Sequence, residues 1–426
     1  MNLCDSRVKV MSLKAIFMLL LGAPALVFAQ SRAAGIEEER NRKSARLTEE
    51  KPTNAEARLI YIKEGKVLER ISAGVGGLRV KIGGMPTGSG FAIGPDYVRD
   101  DLADGKLSFN ASVLASTRRW LRFQTGLAAP SLAGGKLFWE SYAVRHDYNS
   151  VTYYGPGPDS RKRDRSTFRL EDTAFDTLLG AKPNKFVRFG VSTGYLLVNA
   201  GPGRDERFAS ADKLFGANPL SPGFNNQTDF WRWGTFGQID YRDSALGPRA
   251  GGNYTMRFDS YRDRGLALHD FQRLDMEAQQ FIPFFNKRRV IALRARTVQT
   301  FMSQGQTVPF YQQSVLGGAD DLRGFRPYRF HDNNLVVANA EYRWEVFSGL
   351  DMAVFGDAGR VSRKKWEFGL KDMEASVGFG LRFNVRNAPF LRLDVGFSHE
   401  GFQIFMKFNG IFAQRPWGSS TAPHLF

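Results

Sequence analysis

Thiol chemistry is almost absent from this sequence. Cys4 is the only cysteine, and it lies in a segment expected to be cleaved away. That excludes a disulfide framework, cysteine metal ligands and a cysteine nucleophile from the mature chain. Histidine is scarce, with five in 426 residues, and no His-x-x-x-His spacing occurs, so no metal site is expected. Past the first 29 residues no run of 18 apolar residues appears, which excludes a transmembrane helix. Acidic residues are outnumbered: 43 against 59 Lys and Arg, for a formal charge of +16. A basic balance of this kind fits nucleic acid or anionic lipid. The charges are spread along strand-like segments and loops, which favours lipid headgroups and lipopolysaccharide phosphates over nucleic acid.

What is present begins with an export signal. Lys14 precedes the apolar run Ala15 to Phe28, and Val27-Phe28-Ala29 is a small-residue cleavage site. Residues 1–29 are therefore expected to be a signal peptide, with Met11 as an alternative start. Residues 30–75 follow as a periplasmic segment. Its first part, 30–52, is polar, lacks aromatics and reads as a mobile tail. Thr53-Asn54-Ala55-Glu56 is a capping box. Leu59, Ile60, Val67, Leu68 and Ile71 recur at near-helical spacing, which predicts a short amphipathic helix over 54–72. That helix could plug a barrel, lie on a membrane leaflet or simply lead into the first strand.

From residue 76 the period changes to two. Val336, Ala338, Ala340, Tyr342 and Trp344 alternate with Asn339, Glu341, Arg343 and Glu345. Val377, Phe379, Leu381 and Phe383 alternate with Gly378, Gly380, Arg382 and Asn384. A soluble sandwich also alternates, but here the polar face carries paired opposite charges and Tyr and Trp sit near strand ends. Those features predict lipid outside and a polar lumen inside. Connections alternate in length. Segments 150–166, 201–228, 302–333 and 361–375 are long, whereas those near 180–186, 284–289, 347–349 and 386–390 are tight. Long loops are expected outside the cell and short turns in the periplasm. A first count of 15 strands breaks this parity. The run from Leu107 to Ala129 exceeds the roughly 9–11 residues of one crossing strand. Breaking it near Ser116-Thr117-Arg118-Arg119 gives an all-β, 16-stranded antiparallel transmembrane β-barrel over 76–412. Both termini are then periplasmic, and residues 413–426 form a C-terminal tail.

The motifs point to a family. Leu316-Gly317-Gly318, Leu322-Arg323-Gly324-Phe325, Glu341-Tyr342-Arg343, Phe355-x-Asp357-x-Gly359 and Gly378-x-Gly380-x-Arg382 stand in order. Tyr154-Gly155, Gly157 and Ser160 and an aromatic last strand with Phe408 and Phe412 accompany them. This set resembles the bacterial surface antigen family, the BamA/TamA-like outer-membrane assembly barrels and their two-partner-secretion relatives. The resemblance implies that the sixth extracellular loop folds into the lumen and that Arg323 contacts Asp357. Phe355, Asp357 and Gly359 share the lumen face, and a guanidinium can grip a carboxylate with two bonds. Gly324 is expected to permit a backbone turn beside the arginine. Such a pair could pin a loop or gate a passage. Phe408 and Phe412 would act as the C-terminal strand signal read by the barrel assembly machinery during the chain's own insertion. Residues 30–75 are too few for the family's periplasmic transport-associated domains, so a form lacking them is expected. A short first strand, Leu78 to Gly83, would pair poorly with the last one.

Other classes fare less well. His146-Asp147, His269-Asp270 and His331-Asp332 are His-Asp neighbours, but adjacent strand residues point to opposite faces and make no dyad. No enzyme activity and no cofactor are expected. A porin is a further reading, because Arg294, Arg296, Arg343, Arg382, Arg386 and Arg392 share lumen registers and would favour anions. A loop packed through the lumen argues against free flow. The expected role is insertion or translocation of a protein or lipid client at the outer membrane. The alternative is a loop-restricted channel or structural surface barrel.

Overall fold

The computed structural model describes residues 74–347, 349–369, 372–385 and 388–408, together with Glu38, Glu39 and Arg42. The signal peptide, the helix expected at 54–72, Arg386, Phe412 and the tail 413–426 lie outside the described residues. Contacts divide the chain into Met1–Val67 and Leu68–Phe426. In the first unit Glu38, Glu39 and Arg42 are helical, and Arg42 pairs with Glu38 at 3.1 Å. The tail expected there is thus helical at these residues. An opposite-charge pair four residues apart favours a helical turn that composition alone did not suggest.

The second unit is all-β. Its strands are β1 (Leu78–Ile82), β2 (Ala92–Asp101), β3 (Leu107–Ser116), β4 (Leu121–Leu132), β5 (Leu137–Tyr153) and β6 (Ser166–Ala181). Next come β7 (Val187–Pro202), β8 (Ala209–Ser210), β9 (Phe230–Asp240), β10 (Gly251–Asp263), β11 (Phe271–Phe284) and β12 (Arg289–Phe301). The last are β13 (Ser314–Leu316), β14 (Phe330–Asp332), β15 (Asn334–Phe347), β16 (Leu350–Ser362), β17 (Glu374–Val385), β18 (Ala388–Ser398) and β19 (Gly401–Lys407). The two-residue β8 runs parallel to β6, and β13 and β14 form a separate hairpin. The other sixteen strands pair antiparallel, each with the next, in one meander. The break expected near Ser116 to Arg119 is present between β3 and β4.

Alternation sorts the side chains by face. Phe175, Leu179, Phe189, Val191, Trp231, Trp233, Val377 and Phe379 are exposed. Asp176, Arg232, Asp259, Arg273, Arg294 and Arg296 are buried. Apolar outside and charged inside inverts a water-soluble sheet and suits strands facing hydrocarbon. Among the described residues no helix is long and apolar enough to cross a membrane.

The connections are long at one end, notably between β5 and β6, β7 and β9, β12 and β15, and β16 and β17. Most at the opposite end are tight. One there departs from the reading of the sequence, which did not single it out. The segment between β9 and β10 turns back over the sheet's interior. Arg249 binds Asp351 at 2.7 Å and donates to the Lys287 carbonyl at 2.9 Å, while Asp243 takes Lys287 at 2.9 Å.

Among the described residues no ladder joins β1 to β19. Their ends still meet. The Phe408 ring packs edge-on against Phe91 at 5.7 Å, and Lys407 Nζ lies 3.4 Å from Thr87 Oγ1. Positive φ at Gly83 and Gly84 turns the chain away directly after β1, which limits that strand to five residues.

Candidate functional site

The site is built from the long connection between β12 and β15, which packs inside the sheet. Leu322 and Phe325 are fully buried with Leu316, Phe330 and Val337 in one apolar cluster. Phe325 meets Phe330 and His399 edge-on, at 5.3 and 5.4 Å. This apolar anchoring holds Arg323 between them, only 1% exposed.

Arg323 and Asp357 come together as two parallel bonds. Nε donates to Oδ2 at 2.9 Å and Nη2 to Oδ1 at 2.7 Å. The Arg323 backbone amide adds a third bond to Oδ2 at 3.1 Å, and Asn339 donates to Oδ1 at 2.9 Å. Below the guanidinium lies the Phe355 ring, 3.4 Å from its centroid. A desolvated cation over an aromatic face adds about 2 kcal/mol.

Glycines make room for this assembly. A Cβ on Gly324 would lie 2.6 Å from the Ser376 Cβ and 2.7 Å from the Phe397 carbonyl. Gly324 is not among the positive-φ glycines. The expected turn is present, closed by the Phe325 amide donating to the Leu322 carbonyl at 3.1 Å. The glycine serves it through close approach to the neighbouring strands rather than through a left-handed backbone. Gly378 leaves space for the Phe355 ring, and Gly380 for the Asp394 carboxylate and the Arg382 guanidinium. Gly359 lies against the Val336 carbonyl and Leu316 of the inserted segment.

Arg382 does more than its strand motif suggested. It joins Glu341 at 2.8 Å and Asp394 at 2.6 Å. Glu341 also accepts from Arg323 at 2.6 Å and lies 3.3 Å from Arg343. Asp394 binds Arg392 at 3.0 Å, and Arg392 reaches Asp320 at 3.1 Å. Charges thus alternate from Asp320 through Arg392, Asp394, Arg382, Glu341 and Arg323 to Asp357. Sequence reasoning placed Glu341 on the lumen face without assigning it a partner. The register would have revealed it: Glu341 sits opposite Phe355, and Asn339 opposite Asp357.

Other motif residues dock on the same segment. Gly157 donates to the His331 carbonyl at 2.7 Å, and Arg329 donates to the Ser160 hydroxyl at 2.8 Å. Phe408 belongs elsewhere, where the ends of β1 and β19 meet.

The sequential His-Asp neighbours do not pair side by side on the first of these strands. His146 Nδ1 lies 2.6 Å from Asp172 on the next strand, while Asp147 points away and holds Arg169 at 2.9 Å. Gly190-Val191-Ser192-Thr193-Gly194 has the letters of a nucleophile elbow but lies inside β7 rather than at a strand-to-helix turn. Among the described residues no cluster of His, Cys, Asp or Glu could hold a metal ion.

A model of the Omp85 superfamily domain matches residues 107–408. The chain belongs to the Omp85 superfamily. That places it among outer-membrane β-barrels. This Omp85 chain is similar in fold to BamA from Haemophilus ducreyi lacking POTRA domains 1–3. The identity is 16% and the TM-score 0.58, covering 78% of this chain and 70% of that one. It is also similar to CdiB from Escherichia coli, at 13% identity and TM-score 0.50. That likeness covers 78% of the Omp85 chain and 62%, less than two thirds, of CdiB. No curated protein matches the sequence.

Proposed function

We propose that the sixteen strands close into a transmembrane barrel whose lumen is locked by Arg323. Its role is non-enzymatic: insertion or translocation of protein or lipid clients at the outer membrane. Both termini lie in the periplasm and the long connections lie outside. Outer-membrane lipid and lipopolysaccharide are its surroundings, the barrel assembly machinery its partner during its own insertion, and a polypeptide or lipid its client.

The observation that supports this reading is the seam. Among the described residues no ladder joins β1 to β19, and a loop carboxylate bridges their ends instead. Asp320 takes Lys407 of β19 at 3.2 Å and lies 3.4 Å from Thr87, beyond β1. Unpaired backbone groups in hydrocarbon cost several kcal/mol each. A passive pore gains nothing from leaving them so, whereas a wall that opens sideways does.

The test uses the full protein in liposomes. A urea-unfolded outer-membrane barrel is added, and its folding is followed by heat-modifiable gel migration. Faster folding than in empty liposomes supports the proposal, and an unchanged rate with correctly folded protein present sinks it. The alternative, a loop-restricted channel or structural surface barrel, draws on the charged interior. Large steady conductance of the wild type in planar bilayers would favour the channel.

A further inference from the structure

Val144 and His146 of β5 are buried, and Arg145 between them stands exposed on the outward face. Nearer the tight turns that face is apolar, with Phe175, Leu179, Phe189 and Val191 exposed. An arginine on a lipid-facing surface is costly in mid-membrane and tolerated near an interface, where it reaches water or an anion. Arg145 donates to the Thr173 hydroxyl at 3.2 Å, and its side chain remains 55% exposed. Glu171 lies 3.9 Å from it, beyond hydrogen-bond reach. Both oxygens of that carboxylate are already taken, by Arg169 at 2.7 Å and by Asn199 at 3.0 Å.

Arg145 and Thr173 line an outward groove of about 440 Å³. Strand register explains it. One row crosses the strands as Tyr97, Ala111, Thr125, Ala143 and Phe175, each opposite the next. The short side chains of Ala111, Thr125 and Ala143 leave a trough between the rings of Tyr97 and Phe175. The row one step nearer the long connections runs Val113, Phe123, Arg145 and Thr173. The groove is therefore chiefly apolar along its length. At the end toward the long connections it carries a cation beside a hydroxyl. Its volume lies within the range of small-molecule sites.

We propose that this groove binds lipid A, with one acyl chain along Ala111, Thr125 and Ala143 and one phosphate on Arg145. An acyl chain suits an apolar trough on a face turned to hydrocarbon. A guanidinium grips phosphate oxygens with two parallel bonds, and the Thr173 hydroxyl stands beside it. Cation and phosphate meet at the long-connection end, which is the outer leaflet in the orientation proposed above. Only the choice of lipid A rests on that orientation; the groove and its cation do not.

The test uses the full chain in neutral detergent, where orientation plays no part. Native mass spectrometry measures retention of diphosphorylated lipid A, its dephosphorylated form and phosphatidylglycerol. The wild type is compared with Arg145→Gln and Ala143→Leu, and heat-modifiable migration verifies folding. The wild type should retain lipid A. Arg145→Gln should lower that affinity about tenfold and leave the dephosphorylated form unaffected. Ala143→Leu fills the trough without touching the charge. It should weaken both forms, and it keeps the test valid where Arg145→Gln misfolds. No retention by the wild type, or equal retention by the wild type and either folded variant, overturns the proposal. Arginine-dependent retention of phosphatidylglycerol equal to that of lipid A overturns the choice of lipid A. Dimers that Ala143→Leu dissolves, with no lipid retained, give the groove to a second copy of the chain and overturn it too. Orientation is read separately, from protease access to the connection between β7 and β9 in intact cells, so its failure is told apart from failure of the site.

Discussion

Arg323 donates to Glu341 at 2.6 Å, and the same Glu341 oxygen accepts from Arg382 at 2.8 Å. One carboxylate therefore couples the inserted connection to the wall strand that carries Gly378-x-Gly380-x-Arg382. Asp357 holds Arg323 with more bonds, but Glu341 decides how far a disturbance spreads.

Removing one partner of a buried ion pair strands the other charge and destabilises by about 3–5 kcal/mol. Arg323→Ala is expected to lower thermal stability by that order and to release steady openings in planar bilayers. Asp357→Ala should do the same. Arg323→Lys keeps the charge, loses the two-bond grip on Asp357 and should fall between. Conductance indistinguishable from wild type in both alanine variants would remove the lumen lock.

Gly324→Ala introduces a methyl where only 2.6 Å separates it from the Ser376 Cβ. Overpacking of this kind costs about 1–3 kcal/mol. Ser376→Gly added to Gly324→Ala should restore part of the loss, since the Phe397 carbonyl remains in the way. Melting of the two variants by circular dichroism measures the recovery.

The strand count, the two ends of the meander and the meeting of Arg323 with Asp357 were all legible in the sequence. Period-two alternation and loop lengths carry the count, because a membrane barrel writes its inside and outside into alternate residues. Partners across the interior are different. Asp394, Arg392 and Asp320 reach one another through register and through a segment packed across the interior, which alternation does not encode. The inward turn at 241–250 was missed because its Arg249 and Asp351 are 102 residues apart. Glu38, Glu39 and Arg42 are helical within the stretch read as a tail, a local turn that the Glu38–Arg42 pair favours and composition does not signal.

His331 predicts a pH response. Burial, then the charge of Arg329, holds its pKa down at about 3, from 6.5. The unfolded segment takes up a proton below 6.5 while the folded one does not. Stability is therefore full above 6.5 and is lost progressively toward pH 3. Neighbouring Asp332 shifts upward by burial, so the difference between wild type and His331→Gln isolates the histidine. Protease cleavage of the inserted connection should rise between pH 7 and 4 in the wild type and rise less in His331→Gln.

The turn between β9 and β10 predicts a second restriction. Arg249→Ala frees Asp351 and the Lys287 carbonyl. Alone it should change conductance little, because the inserted connection remains. Combined with Arg323→Ala it should enlarge the openings beyond those of Arg323→Ala. Equal single-channel amplitudes in the single and double variants would show that the turn does not obstruct flow.

The five residues of β1 set a limit on the surrounding lipid. At about 3.3 Å per residue they rise about 17 Å, even before tilt. The hydrocarbon layer of a typical bilayer is about 30 Å thick. Lipid beside this strand must thin or admit water to meet it. The protein is thus expected to leave a local dent in the bilayer along one side, where the membrane itself is easiest to breach.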